Sequence, residues 1–95
     1  MSAARFAIVG GGFRSNYFLR IARALPALFT CSGIVVRDAD KARAVREAWG
    51  APVYPDLDAL VAAGRPDFVI LSVTKEAVPG LLAELAGLRL PVLCE

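Results

Sequence analysis

The sequence has no histidine, and in 95 residues it has one tryptophan, one methionine and two cysteines. Without histidine it lacks the commonest metal ligand and the usual base of a serine or cysteine triad. Cys31 and Cys94 stand far apart and form no zinc-type cluster, so free thiols in a reducing compartment are expected. Neither sign of charge is in large excess: 11 basic and 9 acidic residues leave a net charge of +2. The basic residues are scattered, which excludes a nucleic-acid partner. Hydrophobic residues make up 57% of the chain, yet no apolar run approaches the roughly 18 to 20 residues of a membrane span. The opening stretch, MSAARFAIVGGGFR, is too short in its apolar part for a signal peptide and is broken at once by glycines and Arg14. A soluble, cytoplasmic protein with no membrane partner is expected.

Short apolar runs alternate with amphipathic stretches. RFAIV (5–9), GIVV (33–36), PVY (52–54), FVILSV (68–73) and PVLC (91–94) are rich in Val and Ile, as suits strands buried on both faces of a parallel sheet. Ser15 to Leu25 places Phe18, Ile21, Ala22 and Leu25 on one predicted helical stripe, ending before Pro26. Asp38 or Asp40 caps a second helix that runs to Trp49 and stops at Gly50. A third helix runs from about Asp56 to Ala63, closed by Gly64. The fourth, Val78 to Leu88, has Pro79 in its first turn and Val78, Leu81, Leu82, Leu85 and Leu88 on one face. The order βαβαβαβαβ with short, right-handed connections predicts an α/β fold: a doubly wound, Rossmann-like parallel sheet of five strands, order 3-2-1-4-5, with helices on both faces. Residues 1–95 form one domain.

Ligands of such sheets bind beyond the carboxyl ends of the strands, where the strand order reverses. Three glycines stand there, between the first strand and the first helix. Against the dinucleotide fingerprint G-x-G-x-x-G, Gly10 makes the tight turn and Gly12 lets the backbone approach a pyrophosphate at the helix N-terminus. Ser15 replaces the third glycine; it is small and can donate to a phosphate oxygen. A glycine turn without a ligand is the competing reading. Phe13 and Arg14 belong to the same loop, Arg14 either facing the anion or lying in solvent. At the end of the second strand, Val36 holds the position where a carboxylate would read the adenosine 2′-hydroxyl. Arg37 follows it, planar, always charged and suited to a 2′-phosphate, which favours NADP, with NAD as the alternative. Asp38 competes as a ribose reader but fits better as the cap of the second helix.

On FAIVGGGF, on the run VVRDADKARAVREAWGAPVYPDLDALVAAGRPDFVILSV and on the terminal VLCE, the chain resembles the amino-terminal half of the glucose-fructose oxidoreductase, inositol dehydrogenase and rhizopine catabolism family. The resemblance implies a nicotinamide cofactor on this half and a second, mostly β domain for a sugar or polyol-like substrate. It also implies that Ser72, Val73, Thr74 and Lys75 form the loop near the nicotinamide ribose, where the family usually reads Thr-Pro-Asn. Lys75 is open to two readings, a solvated loop lysine or a contact to cofactor or substrate. Glu95 matches the first residue of the family's Glu-Lys-Pro, whose lysine assists proton transfer. The chain is thus expected to be a cofactor domain from a longer two-domain NAD(P)-dependent oxidoreductase, inactive alone. The alternative is a non-catalytic nucleotide-binding or structural module. In this strand order the apolar fifth strand is an edge, so self-association as a homodimer or higher assembly is expected through it or the adjacent apolar helix face.

Overall fold

The computed structural model of the chain describes residues 3–10, 15–73 and 75–94. The Val- and Ile-rich runs pair as parallel strands β1 (Ala4–Val9), β2 (Phe29–Val35), β3 (Val53–Tyr54), β4 (Phe68–Leu71) and β5 (Val92–Cys94). They form one sheet in the order β3-β2-β1-β4-β5. Central β1 sets Ile8 opposite both Ile34 and Ile70. A strand so placed is covered on both faces, and Phe6 to Val9 are accordingly all apolar and all buried.

Alternation along β1 separates two cores. Ala7 and Val9 point into one, which α3 (Leu57–Ala63) and α4 (Val78–Leu88) close with Leu57, Leu60 and Leu85. Phe6 and Ile8 point into the other, covered by α1 (Ser15–Ala24) and α2 (Ala39–Trp49) through Leu19, Phe18, Val45 and Trp49. Right-handed crossovers require helices on both faces, and two are found on each. Among the described residues no helix is long and apolar enough to cross a membrane.

Local signals end the helices where the sequence places them. The Asp38 carboxylate accepts from the N–H groups of Asp40 and Lys41 at 2.9 and 3.0 Å, and Gly50 closes α2 at φ 66°. Asp56 accepts from the Ala59 N–H at 2.8 Å at the start of α3. The last turn of α4 is less expected, because Arg89 itself takes the left-handed conformation at φ 56°. The Arg65 guanidinium donates to the carbonyls of Leu88 (2.6 Å) and Arg89 (3.1 Å), satisfying acceptors that a helix end leaves open.

Three expectations need correction. First, β2 begins at Phe29 rather than Gly33, because Phe29, Thr30 and Cys31 pair with Ala4, Arg5 and Phe6. Ser32 is an extra residue at the register shift and donates its hydroxyl to the Phe6 carbonyl at 3.2 Å. Its polarity and Thr30's break the apolar run that marks a strand in sequence. Second, α1 buries Leu19 and half-buries Phe18 and Ala22, while Ile21 and Leu25 stay 39% and 45% exposed. Third, α4 centres on fully buried Leu85 and leaves Leu82 40% exposed. Cys31, in β2, is a free thiol whose pKa burial pushes up.

Candidate functional site

The carboxyl ends of β1, β2 and β4 open into a cleft of about 900 Å³. Its floor is tied together by backbone hydrogen bonds. The Gly10 N–H donates to the Val35 carbonyl and the Ser72 N–H to the Val9 carbonyl, each at 2.9 Å. β1 lies between two strands reached in opposite directions, so this is the point where the strand order reverses. Gly10 has φ +116°, and a Cβ there would run into the Ser72 carbonyl group, 2.8 Å from its carbon, and lie 3.1 Å from Val73 Cγ1. Only glycine lets the chain leave β1 this close to β4.

One wall comes from the β2–α2 connection and the first turn of α2: Val36, Arg37, Asp38 and Lys41. Val36 is only 7% exposed and packs into the Phe6 and Ile8 core, with its N–H donating to the Tyr54 carbonyl at 3.0 Å. The position where a carboxylate would read a ribose is thus a core position in this chain. Asp38 Oδ1 serves as the α2 cap, and the N–H of Lys41, then that of Asp40, holds its pKa below the usual carboxylate value. The exposed Arg37 guanidinium and the Lys41 ammonium give this wall its positive charge. The facing wall is built by Glu76 and Ala77 of a short 3₁₀ turn (Lys75–Ala77) and by Gly80, Leu81 and Glu84 of α4, with Leu57 of α3 completing the lining.

Of the residues singled out in the sequence, Gly10, Arg37, Ser72 and Val73 meet in this one cleft. Ser15 opens α1, the helix that follows the glycines. Lys75 starts the 3₁₀ turn, exposed and outside the lining of the cleft. Gly12, Phe13, Arg14, Thr74 and Glu95 lie outside the described residues. Sequence reasoning missed Lys41 and the α4 wall. Lys41 was findable, since it stands four residues after Arg37 at the start of a helix. Nothing local to Glu76, Gly80 or Glu84 aims them at β2. Among the described residues no group of three metal-ligating side chains occurs.

A parallel sheet in this order, with a glycine turn and a cleft at the reversal point, defines a Rossmann-type nucleotide-binding domain. The family follows from the sequence match: residues 4–95 match the oxidoreductase family with an NAD-binding Rossmann fold, GFO_IDH_MocA, and the chain belongs to it. Solved structures share the fold at low identity. The WlbA dehydrogenases of Chromobacterium violaceum and Bordetella pertussis, both in complex with NADH and UDP-GlcNAcA, superpose with TM-scores of 0.88 at 22% and 21% identity. Each alignment covers 99% of this chain, but 27% and 28% of theirs. KijD10, a 3-ketoreductase from Actinomadura kijaniata in complex with NADP and TDP-benzene, superposes with a TM-score of 0.82 at 19% identity, over 98% of this chain and 29% of its own. The chain therefore spans just over a quarter of the length of these proteins. No curated protein matches it.

Proposed function

We propose that the chain is the cofactor domain of an NAD(P)-dependent oxidoreductase that acts on a sugar- or polyol-like substrate, and that it prefers NADP to NAD. The observation that carries this reading is the cleft at the strand reversal, with Arg37 and Lys41 on its rim and apolar Val36 in the place of a ribose-reading acid. Bound nicotinamide cofactor supplies the hydride chemistry; the residues of this chain bind and orient it. Gly10 and Gly12 let the backbone approach the pyrophosphate, and Phe13, Arg14 and Ser15 are assigned to the same cradle from the sequence. Arg37 pairs with the 2′-phosphate. Ser72 and Val73, which line the cleft, border the nicotinamide ribose, and Thr74, Lys75 and Glu95 are assigned to the same cofactor site from the family motif alone. The NADH and NADP of the solved structures support a nicotinamide dinucleotide without choosing between the two, and the UDP-GlcNAcA of the WlbA dehydrogenases supports the substrate class.

Residues 1–95 are one domain of a longer two-domain protein, and turnover requires the remainder. The fold works in the cytoplasm. The chain self-associates through the outer edge of β5, where Leu93 is 50% exposed, or through the neighbouring α4 face that presents Leu82.

Calorimetric titration tests the cofactor assignment. A 2′-phosphate held by Arg37 contributes about 1 to 3 kcal/mol before screening at this exposed rim, so NADPH binds at least several-fold tighter than NADH. Arg37→Ala removes most of that preference. Equal affinities unaffected by Arg37→Ala would take Arg37 out of the site, and no binding of either cofactor would reduce the glycines to a turn.

A further inference from the structure

At the amino end of β2, away from the cofactor cleft, a second hollow of about 330 Å³ opens between the ends of α1 and α2. That volume lies within the roughly 300 to 1,000 Å³ of small-molecule sites. Buried Leu19 lies in its lining with Phe29, Cys31 and the Trp49 ring. The small residues Ala22 and Ala51 leave its walls set back, and Gly50, with its φ of 66°, adds no side chain. Trp49 Nε1 donates to Asn16 Oδ1 at 3.3 Å, so the ring offers the hollow apolar surface and no free donor. Cys31 adds a neutral thiol, because burial pushes its pKa up and Sγ donates to the Gly33 carbonyl at 3.6 Å.

Among the described residues Arg23 is the one charged side chain of this lining. Its guanidinium lies 4.3 Å above the Trp49 ring and donates to the Ala48 carbonyl at 3.3 Å. These two contacts hold a planar fork beside the hollow before any ligand arrives, which removes part of the ordering cost of binding. A guanidinium carries five N–H donors, and among the described residues no carboxylate pairs with this one. An apolar hollow with one fixed, acid-free cation matches an anion with an apolar body and a single carboxylate. The second cation that a dianion such as a phosphate would need is missing from the described lining.

We propose that this hollow is a second ligand site, for a compact monocarboxylate with an aromatic or branched aliphatic body. The body packs on Leu19, Phe29 and Trp49, and the carboxylate pairs with Arg23. The hollow opens at Phe29 to Cys31, whereas the cleft opens at Val35 to Asp38, and among the described residues none lines both. Its occupancy is therefore independent of whether the cleft takes a dinucleotide.

Trp49 is the only tryptophan of the chain, so its indole N–H gives a single NMR resonance that reports on the hollow. Benzoate and its uncharged counterpart benzyl alcohol are titrated, at matched ionic strength, into isotope-labelled wild type, Arg23→Gln and Ala22→Leu while that resonance is followed. Benzoate shifts it saturably with a dissociation constant of about 1 mM or below, as suits a ligand of this size. Benzyl alcohol binds about fivefold more weakly or worse, for want of the charge-assisted contact. Arg23→Gln brings the two ligands to equal affinity, and Ala22→Leu, which fills the hollow, abolishes the shift by either. No saturable shift with benzoate up to about 20 mM overturns the proposal, as does benzyl alcohol that binds wild type as tightly as benzoate. A benzoate preference that survives Arg23→Gln takes the carboxylate away from Arg23, and binding that survives Ala22→Leu puts the ligand outside the hollow; each also overturns it. If the melting curve shows that Ala22→Leu does not fold, the contrast between the two ligands in wild type and its loss in Arg23→Gln decide.

Discussion

Single residues set the tightest constraints, and the glycines show how differently the same residue can be used. Gly10 is required by its φ of +116° and by the Ser72 carbonyl beside it. Gly33 needs no special backbone angle, but it is buried where a Cβ would sit 2.7 Å from Tyr54 Cε2 and 3.2 Å from Leu60 Cδ1. Gly33→Ala therefore overpacks the contact between β2, β3 and α3 and lowers stability by about 1 to 3 kcal/mol. Urea denaturation measures this, and adding Tyr54→Ala to the variant restores part of the loss if the ring is the obstruction. An unchanged midpoint for Gly33→Ala would mean that Tyr54 swings aside at no cost.

At the scale of elements, caps and staples hold the helices that frame the cleft. The Arg23 guanidinium lies 4.3 Å above the Trp49 ring and donates to the Ala48 carbonyl, while Trp49 Nε1 donates to Asn16, so α1 and α2 are joined near the end of α2. The start of α2 depends on Asp38, which also shapes the Arg37 wall. Its folded pKa is depressed by the N–H groups of Lys41 and Asp40. A depressed carboxylate contributes stability that is present above its unfolded value of about 3.9 and lost as pH falls through the folded value. Asp38→Asn keeps a cap acceptor that does not titrate. The melting temperature of the wild type should thus exceed that of Asp38→Asn near neutrality, and the margin should shrink as pH drops below about 4. A margin independent of pH between 2 and 7 would show that the charge of Asp38 adds nothing to its cap.

For the whole molecule, the sheet has two edges of different character. β3 is a two-residue edge bonded to β2 through Ile34 and Val35, too short to template another chain. β5 pairs on one side with β4 through Val69, Ile70 and Leu71, and Leu93, which projects from one face of this edge strand, is exposed. Light scattering should find dimers or larger species at high concentration, and Leu93→Lys should shift them towards monomer by charging the edge. A wild type that is monomeric throughout would remove β5 as an association surface.

Much of this architecture was legible in the sequence, because its signals are local. Parallel strands covered on both faces need uninterrupted Val and Ile. Helix starts need acceptors such as Asp38 and Asp56, and the left-handed stop at Gly50 needs a glycine; each is visible within a few residues of the feature it produces. Strand order followed from the alternation of elements and the handedness of their connections, which placed Gly10 and Arg37 at one end of the sheet. Tertiary structure decided the rest. The apolar residues of α1 form two overlapping stripes, and only contact with the sheet selects Leu19 over Ile21. The first residues of β2 become strand because Ala4 to Phe6 lie beside them, in spite of Thr30 and Ser32. The acidic wall of the cleft faces Arg37 and Lys41 only because the chain crosses the sheet between α2 and α4. A contact between segments so far apart depends on how the two cores pack, and no window of neighbouring residues records it.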